Sequence, residues 1–225
     1  MNALISPLSE YTVIEDIKTA LSKGRTPIRV TGCIGSEKCN LIAAVTENSS
    51  PVRLIIAEND LRAKEIMADF MLYDKNTYFY PAKDILFYSA DVRGNTLQCE
   101  RLNIIKKIID GESLTVVTGI AAGVDRLPPV ERLKNQIIHI DMDSVLEPEV
   151  LAEKLVSIGY SREGIADMPG QFAVRGGIVD VFPVQDEVPV RIEFWGDAID
   201  SIRSYDAASQ RSIANTDSCT IFPAQ

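Results

Sequence analysis

The sequence predicts an α/β domain with a parallel sheet, followed by a smaller α+β domain with a mostly antiparallel sheet. Three observations carry that reading. Residues 1–123 alternate short apolar runs with helical stretches, as layered α/β folds do. Residues 121–130, AAGVDRLPPV, set a glycine and two prolines where a regular element cannot continue, as at a domain boundary. Residues 170–212 alternate apolar and polar side chains between glycine-containing turns, the pattern of antiparallel strands.

In the first domain the strands are IRVTG at 28–32, RLIIA at 53–57, TYFYP at 77–81 and LTVVTG at 114–119. Helices are expected near 9–23, 37–47, 59–72 and 95–110. Near-continuous hydrophobicity suits strands covered on both faces, hence a parallel sheet, whose ligands would sit at the carboxyl ends of the strands. In the second domain residues 136–140 read as a strand and 147–158 as a helix, with Pro148 in its first turn and Gly159 at its end. Leu151, Leu155 and Ile158 form one apolar stripe, so this is a core helix packed on the sheet.

Residues 178–182 form the next strand. Gly176 and Gly177 before it suggest a bulge or a positive backbone torsion that aims Arg175 out of the sheet. In residues 189–195, Val190, Ile192 and Phe194 line a core face while Arg191, Glu193 and Trp195 line the other. Gly196-Asp197 then turns the chain tightly into a strand at 198–204. A last strand, CTIFP, follows Ser212. The boundaries read as 1–123, 124–214 and 215–225.

With 225 residues, 46% of them apolar and 24% charged, the chain has the composition of an ordinary soluble globular protein. No run of about 18 apolar residues exists and the start lacks a signal-peptide pattern, so no membrane association and a cytoplasmic location are expected. Cys33, Cys39, Cys99 and Cys219 have no C-x-x-C spacing and His139 is the only histidine, which argues for reduced thiols and no metal site. The net charge is −9, and it is uneven: residues 124–225 hold nine basic against seventeen acidic residues. Such a segment repels a nucleic-acid backbone, so direct DNA binding is disfavoured.

Residues 31–39, TGCIGSEKC, follow a predicted strand and precede a predicted helix, the context of a phosphate-binding loop. Gly32 and Lys38 match G-x-x-x-x-G-K-[ST], but Glu37 replaces the second glycine and Cys39 the hydroxyl. A glutamate adds bulk and negative charge beside a phosphate, and a thiol is a poor ligand for Mg²⁺. The expectation is a degenerate nucleotide loop with no cofactor, though an unrelated strand-turn-helix with a chance lysine fits nearly as well. No catalytic residue is assigned.

Arg175, Arg191 and Trp195 can share one surface. Arginine and tryptophan are enriched at interface hot spots, one for its fixed fork of donors and the other for its rigid apolar area. The alternative is that Trp195 caps a second core layer and the arginines pair with Glu193 or Asp180.

The paired glycines, the FP stop, the R-I-E-F-aromatic strand, the GD turn, the D-S-I-R strand and the closing QRS together resemble the UvrB-like module. That module occurs in the excinuclease subunit UvrB and at the N-terminus of the transcription-repair coupling factor family. UvrB keeps an intact ATP loop and a tyrosine-rich hairpin that clamps DNA. Here the corresponding segment runs quickly into its helix, with Tyr80, Phe87 and Tyr88 as its only aromatics, read as packing locally. The chain is thus more similar to the coupling-factor version, over essentially its whole length.

The resemblance implies a helicase-like first domain and a non-catalytic module that binds UvrA through Arg175, Arg191 and Trp195. It implies too that the strand in 215–225 returns to the first domain and that the chain is a piece of a longer protein. It also implies a parent protein that meets RNA polymerase stalled on duplex DNA, displaces it with an ATP-driven C-terminal translocase, and masks the UvrA surface at rest with its own C-terminal domain. The rival readings are a UvrB-type nucleotide- and DNA-binding domain and a purely structural domain.

Overall fold

The computed structural model describes residues 4–47, 51–83 and 92–224. The chain forms two compact units, Met1–Lys83 with Lys107–Asp125, and Asp84–Lys106 with Arg126–Gln225. Besides the division near residue 125, the described residues 92–106 group with the second unit.

In the first unit a short 3-10 helix, Ser6–Glu10, leads into α1 (Thr12–Ser22) and α2 (Glu37–Thr46). Then come β1 (Val52–Ala57), α3 (Asp60–Phe70), β2 (Thr77–Tyr80), β3 (Leu114–Gly119) and the single-turn α5 (Ile120–Gly123). The helix α4 (Val92–Ile109) precedes β3, and only its last residues, from Lys107, belong to this unit. The three strands are parallel in the order β1-β3-β2, so the expected parallel sheet is present. β3 is central and buried along its whole length, which is why LTVVTG carries no charge.

Two apolar clusters hold this unit. Ile14, Cys39, Ala43, Ala44 and Phe70 join α1, α2 and α3, while Ala57, Ala63 and Val117 join α3 to the sheet. Asn59 caps α3 by accepting a 2.9 Å bond from the Arg62 amide. Gly119 lies so close to this helix start that a Cβ would collide with the Asp60 side chain.

Residues 28–32 do not form the predicted strand; residues 25–34 run without regular structure. Val30 is exposed, so extending this segment into a strand would bury no apolar face there, and strand propensity is realised only through such packing. The predicted linker also begins one element early, since Ala121, Ala122 and Gly123 complete α5.

The second unit contains α6 (Val130–Gln136), β4 (Ile138–Asp141), α7 (Pro148–Ser157), β5 (Ser161–Arg162), β6 (Gln171–Arg175) and β7 (Ile178–Val181). It continues with β8 (Val190–Trp195), β9 (Ala198–Tyr205), β10 (Ser212–Asn215) and β11 (Ser218–Ile221). Six strands form a sheet in the order β10-β9-β8-β7-β6-β5, antiparallel throughout except that β5 runs parallel to β6. The mostly antiparallel sheet of the sequence reading is thus present. α7 packs against β5, β6 and β7 with Leu151, Leu155 and Ile158 buried, the role predicted for it. Proline at its first position lacks an amide that would have no helical partner, and Gly159 leaves the helix with φ 95°.

β11 pairs with β4, from Ser218 opposite Asp141 to Ile221 opposite Ile138. The last strand thus groups with the second unit. Ile140 and Ile221 are fully buried in this pairing, which fixes its register. Tyr160 ties the surrounding chain together: its hydroxyl donates to the Phe222 carbonyl at 2.9 Å and accepts from the Val184 amide at 3.1 Å.

Candidate functional site

The β8 alternation positions the candidate face. Val190, Ile192 and Phe194 are buried, Arg191 and Glu193 are half-buried, and Trp195 is 84% exposed. A register shift between Glu193 and Phe194 places the bulge in β8–β9. No bulge occurs at Gly176-Gly177, which instead form a two-residue connection between the paired Arg175 and Ile178. Gly176 has φ 60°, and a Cβ on Gly177 would lie 3.0 Å from the Phe194 carbonyl oxygen, so both glycines are required for this tight hairpin against β8.

Arg191 is not a free donor. Its Nε and Nη2 give bonds of 2.7 and 2.9 Å to the two carboxylate oxygens of Asp180, which is only 1% exposed. The guanidinium lies over the Tyr205 ring, 4.9 Å from its centroid. Hydrogen bonding to Asp180 raises the Arg191 pKa above its ordinary value. Tyr205 is buried, its hydroxyl donating to the Ala166 carbonyl at 2.9 Å, and burial pushes that phenol upward. Beside this pair Arg203 bonds Glu193, whose carboxylate also accepts from Ser201 at 2.9 Å. The face thus carries a cross-strand ladder of alternating charge.

Arg175 is exposed at the end of β6, and its Nη2 donates to the Gly164 carbonyl at 3.1 Å. Arg191 pairs with Asp180 as the structural alternative holds, whereas Trp195 covers no core. Sequence reasoning missed Tyr205 and Glu193–Arg203; the period-2 spacing of Arg203 and Tyr205 against Arg191 was the available signal.

The second candidate, residues 31–39, has no preceding strand. Gly32 and Gly35 have φ of 96° and 55°. The Glu37 carboxylate accepts from the Ile34 amide at 3.0 Å, so the protein's own anion bonds a loop amide. Lys38 is exposed and Cys39 is buried among Ala43, Ala44 and Phe70. Burial pushes the Cys39 thiol pKa up, and its Sγ lies 3.9 Å from the Ile66 carbonyl, in the core rather than at the loop surface. Of the aromatics from the end of β2 onward, Tyr80 is buried, while Phe87 and Tyr88 lie outside the described residues. All four cysteines are free, and among the described residues no group of three His, Cys, Asp or Glu is arranged to hold a metal. No described helix is long and apolar enough to cross a membrane.

The mostly antiparallel sheet therefore carries one exposed tryptophan and an ordered charge ladder across β7, β8 and β9. Residues 138–225 match the family described as the UvrB interaction domain. The chain is 32% identical over 97% of its length to the transcription-repair-coupling factor of Bacillus subtilis, and 29% identical over its whole length to that of Staphylococcus aureus strain USA300. It is related to the transcription-repair-coupling factors, as the motifs in residues 170–212 indicated. The chain spans about a fifth of the length of these relatives, 19% in each case.

Proposed function

We propose that this chain is a non-catalytic module that recruits UvrA in transcription-coupled nucleotide excision repair. One observation carries the reading: Trp195 stands 84% exposed within the residues that match the UvrB interaction domain. Tryptophan is a preferred interface hot-spot residue because it offers a large, rigid apolar area.

Trp195 serves as the apolar anchor. Arg175 supplies an exposed guanidinium. Arg191 has its Nε and Nη2 committed to Asp180, leaving the Nη1 amino group to meet an acceptor in a fixed direction. Glu37 and Cys39 argue against nucleotide use by the first unit, which then serves as a scaffold. Displacement of RNA polymerase, translocation on duplex DNA and masking of the UvrA surface are, in this reading, tasks of other parts of a longer parent protein.

The test is capture of purified UvrA by the immobilised chain. Unmodified chain retains UvrA and Trp195→Ala loses most of that retention. Equal retention by both, with the variant folded, would remove Trp195 from the interface.

A further inference from the structure

We infer that the groove between α7 and β5 is a second docking site, one that takes an extended peptide alternating basic and apolar residues. It shares no residue with Arg175, Arg191 and Trp195. The groove encloses about 230 Å³ and is lined by Glu149, Ala152, Glu153 and Val156 of α7, Arg162 of β5 and Phe172 of β6. The four α7 positions recur at helical spacing, so they form one continuous stripe.

Three features select the occupant. First, β5 is the edge of the sheet among the described residues, and it offers a hydrogen-bonding rim. Ser161 donates to the Gly170 carbonyl at 2.9 Å and Glu163 to the Phe172 carbonyl at 2.8 Å. In a parallel pair the intervening residue then turns its amide and carbonyl outward, so Arg162 presents one donor and one acceptor to an added strand.

Second, the floor is apolar. Phe172 and Ala152 are buried beneath the groove while Val156 is 56% exposed on its wall, a place for an aliphatic side chain. Third, the rim is acidic. Glu149 is held by Arg162 through contacts of 3.3 and 3.2 Å, and Glu153 stands exposed beside the groove. Residues 124–225 also carry about eight more acidic than basic residues, so the long-range field favours a basic ligand.

The test uses the 225-residue chain and two fluorescein-labelled hexapeptides, Lys-Val-Lys-Val-Lys-Val and Glu-Val-Glu-Val-Glu-Val, in an anisotropy titration. The basic peptide is expected to bind saturably and the acidic one not to bind. Glu153→Lys, a substitution on the solvent side of α7, should weaken the basic peptide by about tenfold, with Val156→Asp acting in the same direction. Trp195→Ala should leave binding unchanged. Failure of the basic peptide to bind overturns the proposal. So does equal binding by the Glu153→Lys and Val156→Asp variants, which would mark the attraction as diffuse charge rather than this groove.

Discussion

Asp180 on β7 and Arg191 on β8 stand directly opposite each other and share a two-pronged ion pair with bonds of 2.7 and 2.9 Å. The carboxylate is fully buried and the arginine side chain is 17% exposed, so the pair sits at the inner margin of the candidate face.

Arg191→Ala would strand the Asp180 carboxylate without a counter-charge. Removing one partner of a buried pair costs about 3 kcal/mol, so this variant is expected to melt well below the unmodified chain. Replacing both Asp180 and Arg191 by alanine should recover part of that loss, as a double-mutant cycle read by denaturant unfolding will reveal. Additive single effects would mean that the two side chains are energetically independent.

Trp195→Ala and Arg175→Ala act differently. Both residues are exposed, so each substitution should change stability by about 0.5 kcal/mol or less. Each should weaken UvrA binding by about 1–4 kcal/mol in a calorimetric titration, as central interface residues do. Unfolding of Trp195→Ala would reveal a core role that the 84% exposure does not suggest.

The loop at residues 31–39 should not respond to nucleotide. Glu37 already bonds the Ile34 amide, and Cys39 is committed to the core. Mg-ATP at millimolar concentration is therefore expected to leave the melting temperature unchanged, since a ligand that binds the native state must stabilise it. A saturable rise in melting temperature would contradict this.

Duplex DNA should not be retained at physiological salt, given the acid excess in residues 124–225. Any weak retention in a filter assay should vanish as salt is raised. Salt-resistant retention would require a focused basic site that the charge distribution does not suggest.

Alkaline pH should destabilise the fold. Burial pushes the Cys219 thiol from 9.0 up to about 12, so between these values the unfolded chain releases a proton that the folded chain keeps. The unfolded state then binds fewer protons, and stability, fully present below pH 9, falls as pH rises. Burial also raises Tyr160 and Tyr205, in the same direction. Melting curves from pH 8 upward should fall less steeply for Cys219→Ala than for the unmodified chain. Identical slopes would remove Cys219 as a contributor.

The parts of the fold legible in the sequence are those where local pattern and burial agree. LTVVTG reads as an interior strand, and Leu151, Leu155 and Ile158 read as the inner stripe of a helix. The alternation in β8 likewise announced which side chains leave the core. Illegible were the outcomes set by distant partners. IRVTG has strand composition but no face to bury, and β11 reads equally well as a strand whichever sheet it joins. Arg191 could be placed on a surface by periodicity, yet only the strand order brings Asp180 beside it. Tyr205 was likewise hidden, because its role depends on the loop carrying Ala166.

The pairing of β4 with β11 imposes a waiting time on synthesis. Ile138–Asp141 leaves the ribosome about 80 residues before Ser218–Ile221, an interval of roughly 4–16 s at ordinary translation rates. The hairpins between can zip through short-range contacts, but β4 must wait with Ile140 uncovered until its partner arrives. A nascent chain halted before Ser218 should therefore remain open to protease at β4 after the hairpins have become resistant.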